Sequence, residues 1–295
     1  MPVDNTLYDQ PGDIWWDETA GLSMLRTALN PARFGYFRSV LTERLHINPS
    51  GRATLDVGCG GGFLAEEFAR LGCQVTGVDP SEPSLETARA HAAAAGLAID
   101  YRTGLGEALP FPNHSFEIVY CCDVLEHVTD LDRVIAEITR MLTPGGIFFF
   151  DTINRTFVSK LFAIKLAQEW RATRFAPPHL HDWEQFIKPT ELQALMRRHG
   201  LEPQEVVGLS LGVRPIAGLR AIRQYKRGVI TAGDLGRGFM ARVSGNLSGS
   251  YAGYAIKASE RRLACCHSSG GREKRAPLSG GRPWNLYGVA ADNCD

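Results

Sequence analysis

The chain has 295 residues, 32 Lys and Arg balanced by 32 Asp and Glu, 44% hydrophobic residues, 31 Gly and 16 Pro. Such a composition excludes disorder for the chain as a whole, and glycine without a three-residue period excludes collagen. No run approaches the roughly 18 apolar residues that span a bilayer. The start, MPVDNTLYDQ, carries neither a cationic nor an apolar signal region. Of seven cysteines, Cys59, Cys73, Cys121 and Cys122 fall on or beside apolar runs, which predicts reduced, buried thiols in a cytoplasmic protein rather than a disulfide framework.

Residues 1–50 are expected to form a helical cap before the first strand. ATLDVG and CQVTGVD are short, apolar and β-rich, and FLAEEFARLG between them repeats Phe63, Leu64, Phe68 and Leu71 at helical spacing before Gly72. This is a βαβ unit. An Ala-rich helix over 82–96 follows, then strands at IDYRTG and FEIVYC. In LDRVIAEITRML, Leu131, Val134, Ile135, Ile138 and Leu142 mark an amphipathic helix. TPGG is expected to stop it before IFFFDT, a strand apolar enough to be buried on both faces. The alternation predicts an α/β, doubly wound parallel sheet over 51–258.

After residue 152 the pattern changes. Residues 157–175 are apolar and basic, predicted helical without one clean stripe, and 155–180 would be a lid insertion. A better helix spans 189–199, with Pro189 at its start and Gly200 beyond its end. LEPQEVVGLS and YAGYAIKA predict two final strands, the second antiparallel, to make seven. Residues 211–250 between them form a Gly- and Arg-rich insertion, and 259–295 would be a disordered tail.

The neutral total hides a segregation of charge. Residues 155–175 hold five basic residues and one acidic, and 211–245 hold seven basic residues and only Asp234. A segregated basic surface suits an anionic partner, either membrane or nucleic acid, or remains a solvated face.

The first strand ends in DVGCGGG, Asp56 to Gly62, directly before a helix, and Asp79 closes the second strand. Glycines let a ligand approach the backbone, the helix start supplies N–H donors, and a strand-end carboxylate suits ribose hydroxyls. A dinucleotide fingerprint would need glycine where Phe63 stands. The spacing of Gly58, Gly60 and Gly62 instead resembles the first motif of class I S-adenosylmethionine-dependent methyltransferases. GEALPFPNHSFEIVY and LTPGG resemble later segments of that superfamily, although Leu105 stands where many members carry an Asp.

More specific marks are WWDETAGLSMLRTALNPARFGY, DVLEHV, TINRT and LHDWEQFIKPTEL. Together they resemble the ubiquinone-biosynthesis O-methyltransferases over about residues 14–209 and 251–257. The resemblance implies S-adenosylmethionine as cofactor, with contacts at Arg33, Asp56, Gly58, Gly60, Gly62, Asp79, Pro80, Gly106 and Cys122. It also implies a hydrophobic, polyprenylated phenol or catechol as substrate. Trp15 and Trp16 can cap the site by cation–π contact, or pack in the core.

Methyl transfer to an aryl oxygen is an in-line displacement, and a phenol with a pKa of about 10 must lose its proton. Asp123, Glu126 and His127 share one side of a helical turn after the fourth strand. Either His127 is a general base, with Glu126 beside it, or all three hold a divalent cation such as Mg, Mn or Zn. A third reading makes Glu126 and His127 a helix cap. His181 and Asp182 form a second polar pair that either reaches the site or serves a surface or capping role. The leading function is O-methylation of a small phenol, with peripheral attachment to an anionic membrane through 157–175. The alternatives are methylation of another metabolite, or RNA binding by the basic arm. No DNA partner is expected, since CDVLEH lacks the Asn/Asp-Pro-Pro-Tyr-like motif of amine-methylating nucleic-acid enzymes.

Overall fold

A computed structural model describes residues 5–10 and 13–259. The tail expected beyond residue 259 lies outside the described residues. The strands are β1 (Ala53–Val57), β2 (Gln74–Asp79), β3 (Asp100–Thr103), β4 (Phe116–Cys121), β5 (Leu142–Ile153), β6 (Leu201–Leu211), β7 (Ala241–Ser244) and β8 (Ser250–Lys257). They form one sheet in the order β3-β2-β1-β4-β5-β8-β6-β7. The first five pair in parallel, and β8 runs antiparallel to both β5 and β6. The order reverses between β1 and β4, which opens a crevice at their carboxyl ends where ligands of open α/β sheets bind.

The helices are α1 (Ser23–Ala28), α2 (Asn30–Ser39), α3 (Phe63–Arg70), α4 (Glu82–Ala94), α5 (Leu131–Met141), α6 (Phe157–Ser159), α7 (Pro189–Arg198), α8 (Pro215–Lys226) and α9 (Ala232–Phe239). In α5 the apolar stripe Val134, Ile135 and Ile138 is fully buried, and the Asp130 side chain caps the start by accepting the Arg133 N–H at 3.0 Å. Phe148, Phe149 and Phe150 are fully buried in β5. Alternate residues enter the two core layers, so the strand is apolar on both faces, and each ring contributes about 1.5–3 kcal/mol.

Three expectations are corrected. The sheet has eight strands, because the 211–250 insertion folds into α8, α9 and β7. Strand β7 escapes prediction because it is a short edge strand whose Arg242 and Val243 face solvent. The helix does stop at Met141, but TPGG is not a separate turn before the strand; β5 begins at Leu142 and takes those residues in. Residues 157–175 are not one α-helix, since α6 passes into a π-helical stretch, Lys160–Glu169, and stops at the extended Trp170. Wider π turns displace successive side chains from a 3.6-residue stripe, which accounts for the irregular pattern.

The insertion meets the N-terminal helices. Ala28 shares an apolar cluster with Ile222, Leu235 and Phe239, and Gly236 comes so close to Thr27 that a β-carbon would overlap its hydroxyl. Phe239 stacks on Phe175, with centroids 6.3 Å apart, and the Lys226 ammonium donates to the Arg171 carbonyl. The two basic segments therefore adjoin.

Candidate active site

The turn after β1 works only because of its glycines. Gly58, Gly60 and Gly62 have φ of 74°, 49° and 83°, a region that side chains disfavour. A β-carbon on Gly58 would overlap Val124, and one on Gly62 would overlap the Tyr101 hydroxyl. The Asp79 carboxylate braces this turn, accepting the Gly60 N–H at 2.8 Å and the Ser81 N–H at 2.9 Å. Burial raises the pKa of Asp79 and, more strongly, that of Asp56 at the same sheet edge. Pro80 is exposed beside Asp79, and Gly106 sits against Val57 and Val134.

Arg33, on α2, is buried beneath the crevice. Its Nη1 lies 2.6 Å from Asp123 Oδ2 and 2.8 Å from Asp151 Oδ2. Burial opposes the guanidinium charge, but the two carboxylates more than restore it, so its pKa stands above the ordinary value. Cys122 is buried nearby, and burial keeps its thiol protonated. Arg33 Nε is buried without a hydrogen-bond partner among the described residues.

The turn after β4 gathers the candidate acid–base groups. Asp123 adopts a left-handed conformation, φ 54°, and its N–H is held at 2.7 Å by Asp151 Oδ1. Glu126 accepts a hydrogen bond from the Thr152 hydroxyl at 2.7 Å. Burial, with Asp123 beside it, pushes Glu126 up to about 8. Burial pushes His127 down to about 4, against the pull of Asp123, and His181 down to about 3, with His127 adding to the effect. The rings of His127 and His181 are 5.0 Å apart. Glu126 Oε1 and His127 Nδ1 are buried and unpartnered among the described residues. At neutral pH the pair is thus a protonated carboxyl beside a neutral imidazole, two groups whose surroundings drive their pKa values apart.

The segment before α1 closes the crevice from outside. Tyr8 stacks on Trp15 with centroids 5.8 Å apart and meets the His127 ring edge-on at 6.2 Å. Its carbonyl accepts the hydroxyls of Ser81 and Ser84 at 2.7 and 3.0 Å, and Trp15 Nε1 donates to Ser84 Oγ at 3.0 Å. Burial raises the Tyr8 pKa, and Asp123, Glu126 and Asp79 add to that. Trp16 turns outward, donating to the Gly61 carbonyl at 2.8 Å and stacking on His91 at 3.4 Å.

The structure brings Glu126 and His127 together with His181, with ligand atoms within 4.8 Å of one another. Asp123, expected as a third metal ligand, turns to Arg33 instead. Sequence reasoning missed Tyr8, Asp151 and Thr152. A signal existed for Asp151, a carboxylate ending an otherwise apolar strand; nothing in MPVDNTLYDQ distinguishes Tyr8.

A methyltransferase domain family model matches residues 55–150, which spans the sheet from β1 to β5. A ubiquinone biosynthesis O-methyltransferase from Azorhizobium caulinodans is 36% identical over 214 residues, 70% of this chain and 83% of that protein. One from Nitrosococcus oceani is 39% identical over 209 residues, 70% and 85% of the respective chains. Among solved structures, a SAM-dependent methyltransferase from Aquifex aeolicus superposes with a TM-score of 0.50 at 13% identity, covering 80% of this chain and 93% of that one. The YcgJ protein of Bacillus subtilis gives 0.52 at 18% identity, with 77% and 98% covered. Those two establish fold alone; the extended identity to the curated relatives establishes more, and the chain belongs to the ubiquinone biosynthesis O-methyltransferase family.

Proposed function

We propose that the protein methylates a hydroxyl of a polyprenylated phenol or catechol at the crevice edge where His127 and Glu126 stand. The observation that carries this reading is the pair of unpartnered buried atoms, His127 Nδ1 and Glu126 Oε1, on a turn braced against Arg33. The residues present fit S-adenosylmethionine. Asp79 suits the ribose hydroxyls, the glycine turn leads into the start of α3 with its free N–H groups, and the buried, unpartnered Nε of Arg33 suits a carboxylate. When bound, that group supplies an electrophilic methyl.

The protein's own residues do the rest. Tyr8 and Trp15 cover the crevice and exclude water, which favours a displacement in which charge disappears. His127 Nδ1, buried and unpartnered, accepts the acceptor's proton in this reading. A base with a pKa near 4 suffices, because the hydroxyl becomes far more acidic as its oxygen forms the new bond. The raised pKa of Glu126 keeps it protonated at neutral pH, able to donate to an acceptor oxygen.

A second reading is favoured by one observation, the convergence of Glu126, His127 and His181. One carboxylate and two imidazoles fit a divalent cation of the Zn or Mn class, which would polarise the hydroxyl.

The substrate class is supported by the kinship with ubiquinone biosynthesis O-methyltransferases and by the surface. Phe157, Phe162 and Trp170 are 78%, 56% and 51% exposed, beside the exposed Arg171 and Arg174. Helix α8 adds Ile216, Leu219, Arg220 and Arg223, all exposed. Apolar side chains interleaved with cations suit the surface of an anionic bilayer, from which a prenylated acceptor would be drawn. No helix of the described residues is long and apolar enough to cross a membrane. Comparing kcat/KM for a catechol without a tail and with successively longer prenyl tails tests the reading. A rise of at least about tenfold is expected, since each buried CH₂ contributes about 0.8 kcal/mol. Methylation of RNA with every catechol left unmodified would overturn it.

A further inference from the structure

Strand β5 ends at the crevice with Asp151 and Thr152, neighbours buried to 2% and 1% exposure and paired to Ala252 and Tyr251 of β8. Successive residues of a strand project to opposite faces. Here that alternation sends two adjacent side chains to two different parts of the site. Asp151 reaches α2 and the start of the turn, accepting from Arg33 Nη1 at 2.8 Å and from the Asp123 N–H at 2.7 Å. Thr152 reaches the end of the same turn, donating to Glu126 Oε2 at 2.7 Å.

Each bond fixes one polar atom and leaves its companion without a partner. With Nη1 fastened, Arg33 keeps a buried, unpartnered Nε; with Oε2 fastened, Glu126 keeps a buried, unpartnered Oε1. Asp151 also holds the left-handed Asp123 by accepting its backbone N–H, a donor that is costly to leave unpaired. The turn after β4 is therefore clamped at both ends by consecutive residues of β5, and the clamp is rigid because it belongs to a central strand.

We propose that Asp151 and Thr152 are positioning residues with divided roles: Asp151 presents Arg33 to the carboxylate of the methyl donor, and Thr152 presents Glu126 to the acceptor. The inference rests on the proposed function, and its test separates the two. Donor affinity is measured by calorimetry with S-adenosylmethionine, and kcat with a saturating prenylated catechol. Asp151→Asn keeps the shape and the acceptor for Asp123 but weakens the hold on Arg33. It should raise the donor Kd about tenfold with kcat held within about threefold, the range of one charge-assisted hydrogen bond. Thr152→Val should lower kcat about tenfold with donor Kd unchanged, and Thr152→Ser, which keeps the hydroxyl, should restore it.

A merely structural role would lower the melting temperature of both variants without this split. If Asp151→Asn does not fold, Asp151→Glu displaces the carboxylate while keeping its charge, and the same rise in donor Kd is expected. Wild-type Kd and kcat in both folded variants, or equal losses of both quantities in each, would overturn the division of roles while leaving the function intact. A wild-type protein that binds no S-adenosylmethionine would overturn the function and the inference together.

Discussion

The indole of Trp15 lies so close to Gly60 that a β-carbon there would sit 2.6 Å from its Cζ2. Residues 45 positions apart in sequence are thereby locked into one unit, the glycine turn and its cover. A glycine is required at position 60 twice over, for a φ of 49° and for the ring above it.

Gly60→Ala should therefore cost about 2–4 kcal/mol, of which roughly 1–2 is the left-handed backbone and the rest the clash. In a Trp15→Ala background the clash is gone, so the same change should cost only about 1–2 kcal/mol. Urea unfolding of the four proteins checks this, and strict additivity would show that the cover does not press on the turn.

Asp79→Ala should leave the fold intact and weaken donor binding by about 2–4 kcal/mol, roughly 30-fold to 1000-fold. Part of the loss comes from the ribose partner and part from the turn, because Asp79 also accepts the Gly60 N–H at 2.8 Å. Calorimetry reads the affinity directly; a wild-type value would contradict the nucleotide-site assignment.

His127→Ala should lower turnover about 100-fold with little change in donor affinity, as loss of a general base does. The pH profile adds a sharper check. His127 stays neutral until about pH 4, so falling pH does not charge it between pH 7 and 5 and kcat should hold. A histidine of ordinary pKa would be only about 3% neutral at pH 5, a roughly 30-fold loss. An acid limb with its midpoint at 6.5 would show that burial does not govern this residue. Inhibition by chelator and recovery with Zn or Mn would instead favour the cation reading of Glu126, His127 and His181.

The exposed face formed by residues 157–175 and α8 should bind liposomes containing phosphatidylglycerol or cardiolipin at low salt. Each Lys or Arg near an anionic surface contributes about 1 kcal/mol. Replacing Arg220 and Arg223 with Glu should weaken flotation, and high salt should do the same. Protein that stays unbound at low salt would leave 157–175 as a pocket lid only.

The region between Ala53 and Ile153 is legible in sequence because period, glycine placement and strand-end acids agree there. Leu55, Val78 and Phe149 are buried on strands where the pattern expects them. The rest resists for physical reasons. The π-helical stretch Lys160–Glu169 has no 3.6-residue stripe to detect, and β7 is stabilised by pairing with β6 rather than by its own burial. At the site, Gly58, Asp79 and His127 are visible as local motifs. The roles of Asp151 and Tyr8 are not, since they come from contacts with residues more than 100 positions away, Arg33 in the first case and His127 in the second, even though Asp151 itself stands out as an acid at the end of an apolar strand.

The most direct test of the central claim is the product itself. Wild-type protein is incubated with methyl-labelled S-adenosylmethionine and a prenylated catechol, and the product is identified by mass spectrometry and NMR. One labelled methyl on a ring oxygen, lost in Asp79→Ala and strongly reduced in His127→Ala, is the predicted result. Label on carbon or nitrogen, or an unmodified catechol with the donor demonstrably bound, would contradict it.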